Sequence, residues 1–189
     1  MSPADGCVLV LCTGNICRSP FIERLLAHAL ADTSIEVTSA GTGALVDHPI
    51  HESSARRLDA AGVPSSDFAA RQLTPEMVKA ADLIVAATRE HVGGAAQLHP
   101  SALRKGFALL DLADLIDGVP DAVILAAPGA TRAAKVAAEA LVRRGEVQPR
   151  TPEAATIVDP YMQDESVFDA MDTQVRRTVP IVARALRGA

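Results

Sequence analysis

Residues 7–20 read Cys7-Val8-Leu9-Val10-Leu11-Cys12-Thr13-Gly14-Asn15-Ile16-Cys17-Arg18-Ser19-Pro20. An apolar run with β-branched residues gives way to a polar turn containing glycine, and then to residues suited to opening a helix. Ser19 is placed to accept an orphan N–H as N-cap, and Pro20, with no N–H of its own, suits the first helical position. Behind them Phe21, Ile22, Leu25, Leu26, Ala29 and Leu30 recur at helical spacing and form one apolar face. The unit is strand, loop, helix.

The same alternation continues along the chain. Residues 35–39 read as a second strand ending at Gly41, and 52–61 as a helix stopped by Gly62 and Pro64. Thr74-Pro75 opens a short helix, 83–88 is a continuous apolar run of the central-strand kind, and 107–110 gives a fourth strand. This order predicts an α/β fold: an open four-stranded parallel sheet with helices on both faces, a three-layer sandwich of the flavodoxin or Rossmann kind. Ligands bind such sheets at the carboxyl ends of the strands.

The rhythm breaks at about 117–156, where Pro120, Pro128, Pro149 and Pro152 surround one Ala-rich helix, roughly 131–144 and stopped by Gly145. Ala133, Val136, Ala137, Ala140 and Leu141 share a face there. We read the stretch as an insertion that decorates an edge of a single domain spanning 1–189. A last helix follows over 164–187, with Val167, Phe168, Met171, Val175, Val182 and Leu186 inward and Pro180 kinking or splitting it.

Composition narrows the function. The 189 residues, 49% hydrophobic and 22% charged, suffice for one core, and a net charge of -5 disfavours nucleic-acid or acidic-lipid binding. An anionic substrate therefore needs a local positive site. Residues 1–11 hold only the short apolar run 8–11 with no basic stretch or small-residue cleavage site, so a signal peptide is not expected there, and no run reaches membrane-spanning length. Cys7, Cys12 and Cys17 all precede Arg18, too clustered to staple a secreted fold, so a reducing, cytoplasmic setting is expected. His48 and His51 flank Pro49 without further ligands, and no metal site is expected.

The chemistry-bearing segment is Cys12, five residues, Arg18 and Ser19, set between a strand and a helix start. Loop N–H groups, a helix N-terminus and a guanidinium all favour a thiolate, which is the nucleophilic form of cysteine. The same groups suit a phosphate dianion: the N–H nest takes its equatorial oxygens and Arg18 can hold two of them as a fork. Gly14 permits close backbone approach, and Ser19 can donate to the sulfur. Neither a G-x-G-x-x-G nor a G-x-x-x-x-G-K-[ST] pattern stands at this turn.

Residues 12–20 resemble the signature loop of the low-molecular-weight protein tyrosine phosphatases, and Asp159-Pro160-Tyr161 resembles that family's general-acid motif. Ser39-Ala40-Gly41-Thr42, Ala70-Arg71-Gln72-Leu73 and 83–88 resemble its other landmarks in the right order. The resemblance implies hydrolysis of phosphotyrosyl proteins without metal or organic cofactor. Cys12 would be the nucleophile, Arg18 the phosphate clamp and Asp159 the acid and then the base. Thr13, Gly14, Asn15, Ile16, Cys17 and Ser19 would form the cradle, with Leu45 and Tyr161 at its mouth.

The resemblance also implies that Asn15 braces the loop through Ser39 and a histidine. That histidine position falls on Phe68 here. Cys17 matches a cysteine that in some relatives forms a reversible disulfide with the nucleophile, although a passive packed thiol is an equal reading. Ile16 matches tyrosine-directed members, where phosphoarginine-directed relatives resemble Thr; Leu45 and Val46 resemble the bacterial capsule-type members. Two rivals stand: an arsenate reductase using an external thiol, since no cysteine follows Cys17 to serve a thioredoxin-linked relay, and a phosphoprotein-binding module without turnover.

Overall fold

The apolar run at the start of the chain is the strand β1 (Cys7–Cys12) of a four-stranded parallel sheet in the computed structural model, which describes residues 5–188. Residues 1–4, where the absence of a leader was expected, lie outside the described residues. β1 is flanked by β2 (Glu36–Gly41) and β3 (Leu83–Ala86), and β4 (Gly106–Ala108) closes the order β2-β1-β3-β4. The register pairs Cys12 with Gly41 and Leu11 with Ala86, so the carboxyl ends of the three longer strands finish together beside the 13–17 loop.

Side chains alternate across the sheet, which sorts the core in two. Val8, Val10, Leu83, Val85 and Phe107 point to one face. There they pack with α1 (Arg18–Ala29), α6 (Leu109–Ile116), α8 (Arg132–Arg143) and α9 (Glu165–Arg187). Leu9, Leu11, Ile84 and Ala86 point to the other, toward α3 (Pro75–Ala80), α4 (Arg89–Leu98) and α5 (Ala102–Lys105). The expected four-stranded parallel sheet with helices on both faces is borne out. The remaining helices are α2 (Glu52–Ala60), with His51 as its N-cap, and α7 (Asp121–Ala126).

Several local expectations are corrected. The fourth strand stops at Ala108, and Leu109 opens α6, because Leu109, Leu112, Ala113 and Ile116 lie on one buried helical face. Helix α1 starts at Arg18 with Cys17 at the N-cap and no side-chain cap, since the Ser19 hydroxyl is engaged by the loop instead. Helix α9 is one continuous element through Pro180, whose ring faces solvent. The Ala-rich helix α8 does not decorate an edge: Ala133, Val136, Ala137 and Ala140 are buried in the same cluster as Val8 and Val10.

Candidate active site

Cys12 ends β1 and is 2% exposed, its Sγ 3.0 Å from Ser19 Oγ and 3.3 Å from the backbone N–H of Asn15. The loop turns at Asn15, which takes a left-handed φ of 55°. Its buried amide holds that conformation: Nδ2 donates to Ser19 Oγ at 2.9 Å and to Ser39 Oγ at 2.8 Å, while Oδ1 accepts from the Arg71 backbone N–H at 2.9 Å. Ser19 has one hydroxyl proton and its oxygen already accepts from Asn15, so that proton is free to go to the Cys12 sulfur. The support net thus closes on Ser19, Ser39 and Arg71, while Phe68 packs at the margin of the core under the Arg24 guanidinium.

The β2 end clamps the loop from outside. Thr42, Gly43 and Leu45 donate backbone N–H bonds to the carbonyls of Cys12, Thr13 and Gly14 respectively. The close approach falls at Gly41 rather than at Gly14. A Cβ at 41 would sit 2.3 Å from the Thr13 carbonyl oxygen, whereas one at 14 would meet only ordinary contacts. Gln72 ties the same turn, donating to the Thr42 carbonyl and accepting from the Ala44 N–H.

Arg18 is 5% exposed and donates from a terminal nitrogen to Asp159 Oδ2 at 2.6 Å, across 141 positions of sequence. Asp159 is carried at the carboxyl end of the sheet by the Ile157 N–H, which bonds the Ala87 carbonyl just past β3, and by the Val158 N–H on Gln174 of α9. Its Oδ1 accepts the Tyr161 N–H, closing a tight turn over Pro160.

A cavity of about 190 Å³ opens here, lined by Cys12, Thr13, Gly14, Ile16, Cys17, Arg18, Gly43, Leu45, Asp159 and Tyr161. Of the residues expected in the site, Asn15 and Ser19 do not line it; both are wholly buried behind the loop. Gly43 and His91 are additions that the sequence reading missed. His91 touches Thr13 from beneath, and its signal was a Thr and a His three apart at a helix start following a strand. Burial, and then the nearby Cys12, push the Cys17 thiol up to about 12; all three cysteines are free. A larger hollow of about 350 Å³ lies beyond β4; there Arg89 pairs with Asp111 and Arg150 with Asp114, while Arg144 lies over the Phe107 ring and donates to the Leu103 and Gly106 carbonyls.

Among the described residues no group of His, Cys, Asp or Glu could hold a metal ion, and no helix is long and apolar enough to cross a membrane. A cysteine whose sulfur takes the Asn15 N–H, a buried guanidinium and a half-exposed carboxylate can together bind an oxyanion, attack it and move a proton.

The profile of the family described as low molecular weight phosphotyrosine protein phosphatase matches residues 7–118. The low molecular weight protein-tyrosine-phosphatase Etp of Escherichia coli K12 is 42% identical over 98 residues, 52% of this chain and 65% of that relative. The chain therefore spans just under two thirds of that relative's length. The crystal structure of the tyrosine phosphatase AmsI of Erwinia amylovora superposes with a TM-score of 0.67 at 25% identity, over 93% of this chain and 89% of that one. The YwlE arginine phosphatase of Geobacillus stearothermophilus shares the fold, with a TM-score of 0.70 at 22% identity over 96% and 93% of the chains.

Proposed function

The chain belongs to the low molecular weight phosphotyrosine protein phosphatase family, and from that premise we propose that it hydrolyses phosphotyrosyl proteins through a cysteinyl-phosphate intermediate. The observation that carries the reading is the meeting, in one small cavity, of the Cys12 sulfur, the Arg18 guanidinium and the Asp159 carboxylate from distant parts of the chain.

The phosphoryl group enters above Cys12, and Arg18 exchanges its contact with Asp159 for two phosphoryl oxygens. The Cys12 thiolate attacks phosphorus in line: the S–P bond forms as the ester P–O bond breaks, and Asp159 gives its proton to the departing phenolate. A water then attacks phosphorus and passes its proton to Asp159. The S–P bond breaks, phosphate leaves and the thiolate returns, steadied by the Ser19 hydroxyl. Asp159, half exposed on a turn, has the freedom this double role needs. The first N–H groups of α1 carry no side-chain cap, which suits an anion at that end.

Ile16, Leu45 and Tyr161 offer an apolar mouth for a phenyl ring, which favours phosphotyrosine over the shorter phosphoserine. A thiolate nucleophile, with three free thiols in the chain, suits a reducing compartment such as the cytoplasm.

The test is steady-state hydrolysis of p-nitrophenyl phosphate and a phosphotyrosyl peptide, with a chelator present. Wild type should turn over both, Cys12→Ser neither, and Asp159→Ala should lose roughly 10²–10⁴-fold, most on the peptide with its poorer leaving group. An inert wild type would end the phosphatase reading and move the question to arsenate with an external thiol.

A further inference from the structure

One buried polar side chain touches the Cys12 loop and has no part in the chemistry above. His91 lies in the first turn of α4 and is 7% exposed. Its Nε2 is 2.9 Å from Thr13 Oγ1 and its Nδ1 is 2.8 Å from Thr88 Oγ1. Thr13 lines the cavity beside Cys12 and Arg18, so the imidazole stands directly behind a residue that a bound anion would meet.

Counting protons fixes the direction of this chain. Thr88 is the N-cap of α4, and its oxygen accepts the His91 backbone N–H at 3.4 Å. Its hydroxyl, on a residue only 9% exposed, has one proton to place, and among the described residues the side-chain acceptor within reach is His91 Nδ1. Nδ1 is then the acceptor nitrogen, and Nε2 carries the ring's proton and donates to Thr13 Oγ1. The opposite tautomer would leave the Thr88 proton unplaced and would use the Thr13 proton on the ring. A doubly protonated ring would also deprive Thr88 of its acceptor.

The charged groups facing the ring agree with a neutral imidazole. Burial, reinforced by the Arg18 guanidinium, lowers His91 to about 4, against the opposing pull of Asp159.

We propose that His91 is a positioning residue for the anion: as a neutral Nε2–H donor it holds the Thr13 oxygen from behind, so that the Thr13 hydroxyl proton is presented to a phosphoryl oxygen above Cys12. The identity of that anion rests on the phosphatase reading; the relay itself does not.

The experiment measures binding of inorganic phosphate by calorimetry alongside kcat/KM on p-nitrophenyl phosphate. It uses wild type, His91→Leu, Thr13→Val, Thr13→Ser and the double variant His91→Leu with Thr13→Val. His91→Leu and Thr13→Val should each weaken phosphate binding roughly tenfold, the scale of one hydrogen bond to an anion. The double variant should be no worse than Thr13→Val, and Thr13→Ser should bind as wild type. Nitrogen chemical shifts of ¹⁵N-labelled histidine at neutral pH should identify a protonated Nε2 and a bare Nδ1 at His91.

Multiplying losses in the double variant, wild-type phosphate binding by Thr13→Val, or a protonated Nδ1 would each overturn the proposal. If His91→Leu does not fold, the Thr13 pair and the ring tautomer still decide it. A wild type that binds phosphate without turnover would sink the phosphatase reading alone, and one that binds no phosphate would sink the relay.

Discussion

Asn15 shows how much of the site rests on single side chains. Its φ of 55° is a conformation that asparagine tolerates better than most residues, and three hydrogen bonds hold it there. Asn15→Ala removes all three and leaves alanine in a strained backbone. We expect about 2–4 kcal/mol of lost stability, together with a large fall in kcat, read from urea unfolding and steady-state rates on the same preparation. Unchanged unfolding and unchanged rates would remove Asn15 from the account. The Cys12 to Ser19 spacing was legible because the chemistry dictates it in sequence. His91 was not, because its partner Thr13 is 78 positions away and only the parallel register of β1 and β3 brings them together.

Among the elements, α2 and α9 are fastened to each other by a charged staple. Glu165 at the start of α9 accepts from Ser53 and from both Arg56 and Arg57, and Arg57 also reaches Asp169. The Ser53 and Arg57 hydrogen bonds pull the Glu165 carboxyl down to about 2. A depressed carboxylate contributes stability that is present above its ordinary value of 4.5 and is lost as pH falls toward about 2. The Tm of wild type should therefore fall more steeply than that of Glu165→Gln across that window, the two curves converging at its acid end. Parallel curves would show that the staple adds nothing. Element types were readable where periodicity was clear, as in α1, α8 and α9. The short helices α5 and α7, of 4 and 6 residues, are too brief to show a period, and two longer stretches were hidden as well. Helix α4 contains Gly93-Gly94, poor helix formers, and Gly94 lies close enough to Thr42 that a Cβ would be 3.2 Å from its methyl group. The short apolar run from Phe107 onward fits strand and helix equally until burial decides between them.

At the scale of the whole molecule, residues beyond the family match are part of the structure that supports the site. Val136 of α8 is fully buried against the same face of the sheet as Val8 and Val10, and α8 lines none of the Cys12 cavity. Val136→Ala should cost about 1–3 kcal/mol by the cavity it leaves, with kcat held at temperatures well below the melt. Thermal unfolding and initial rates check this, and a kcat loss without destabilisation would tie α8 to the chemistry instead. The break in rhythm at 117–156 was visible from its prolines, but its depth of burial was not, because an alanine side chain has so little apolar area that leaving it in water costs little, and an alanine-rich face is a weak sign of burial. The Ile157 N–H on the Ala87 carbonyl carries a consequence for which stretches can vary in length. The turn that carries Asp159 is held by a foothold just past β3 and by Gln174 of α9, both far from it in sequence. Where this foothold and the core face of α8 are kept, the exposed turns between them can vary in length without moving Asp159 away from Arg18, so the two halves of the site are separable in sequence while they stay joined in space.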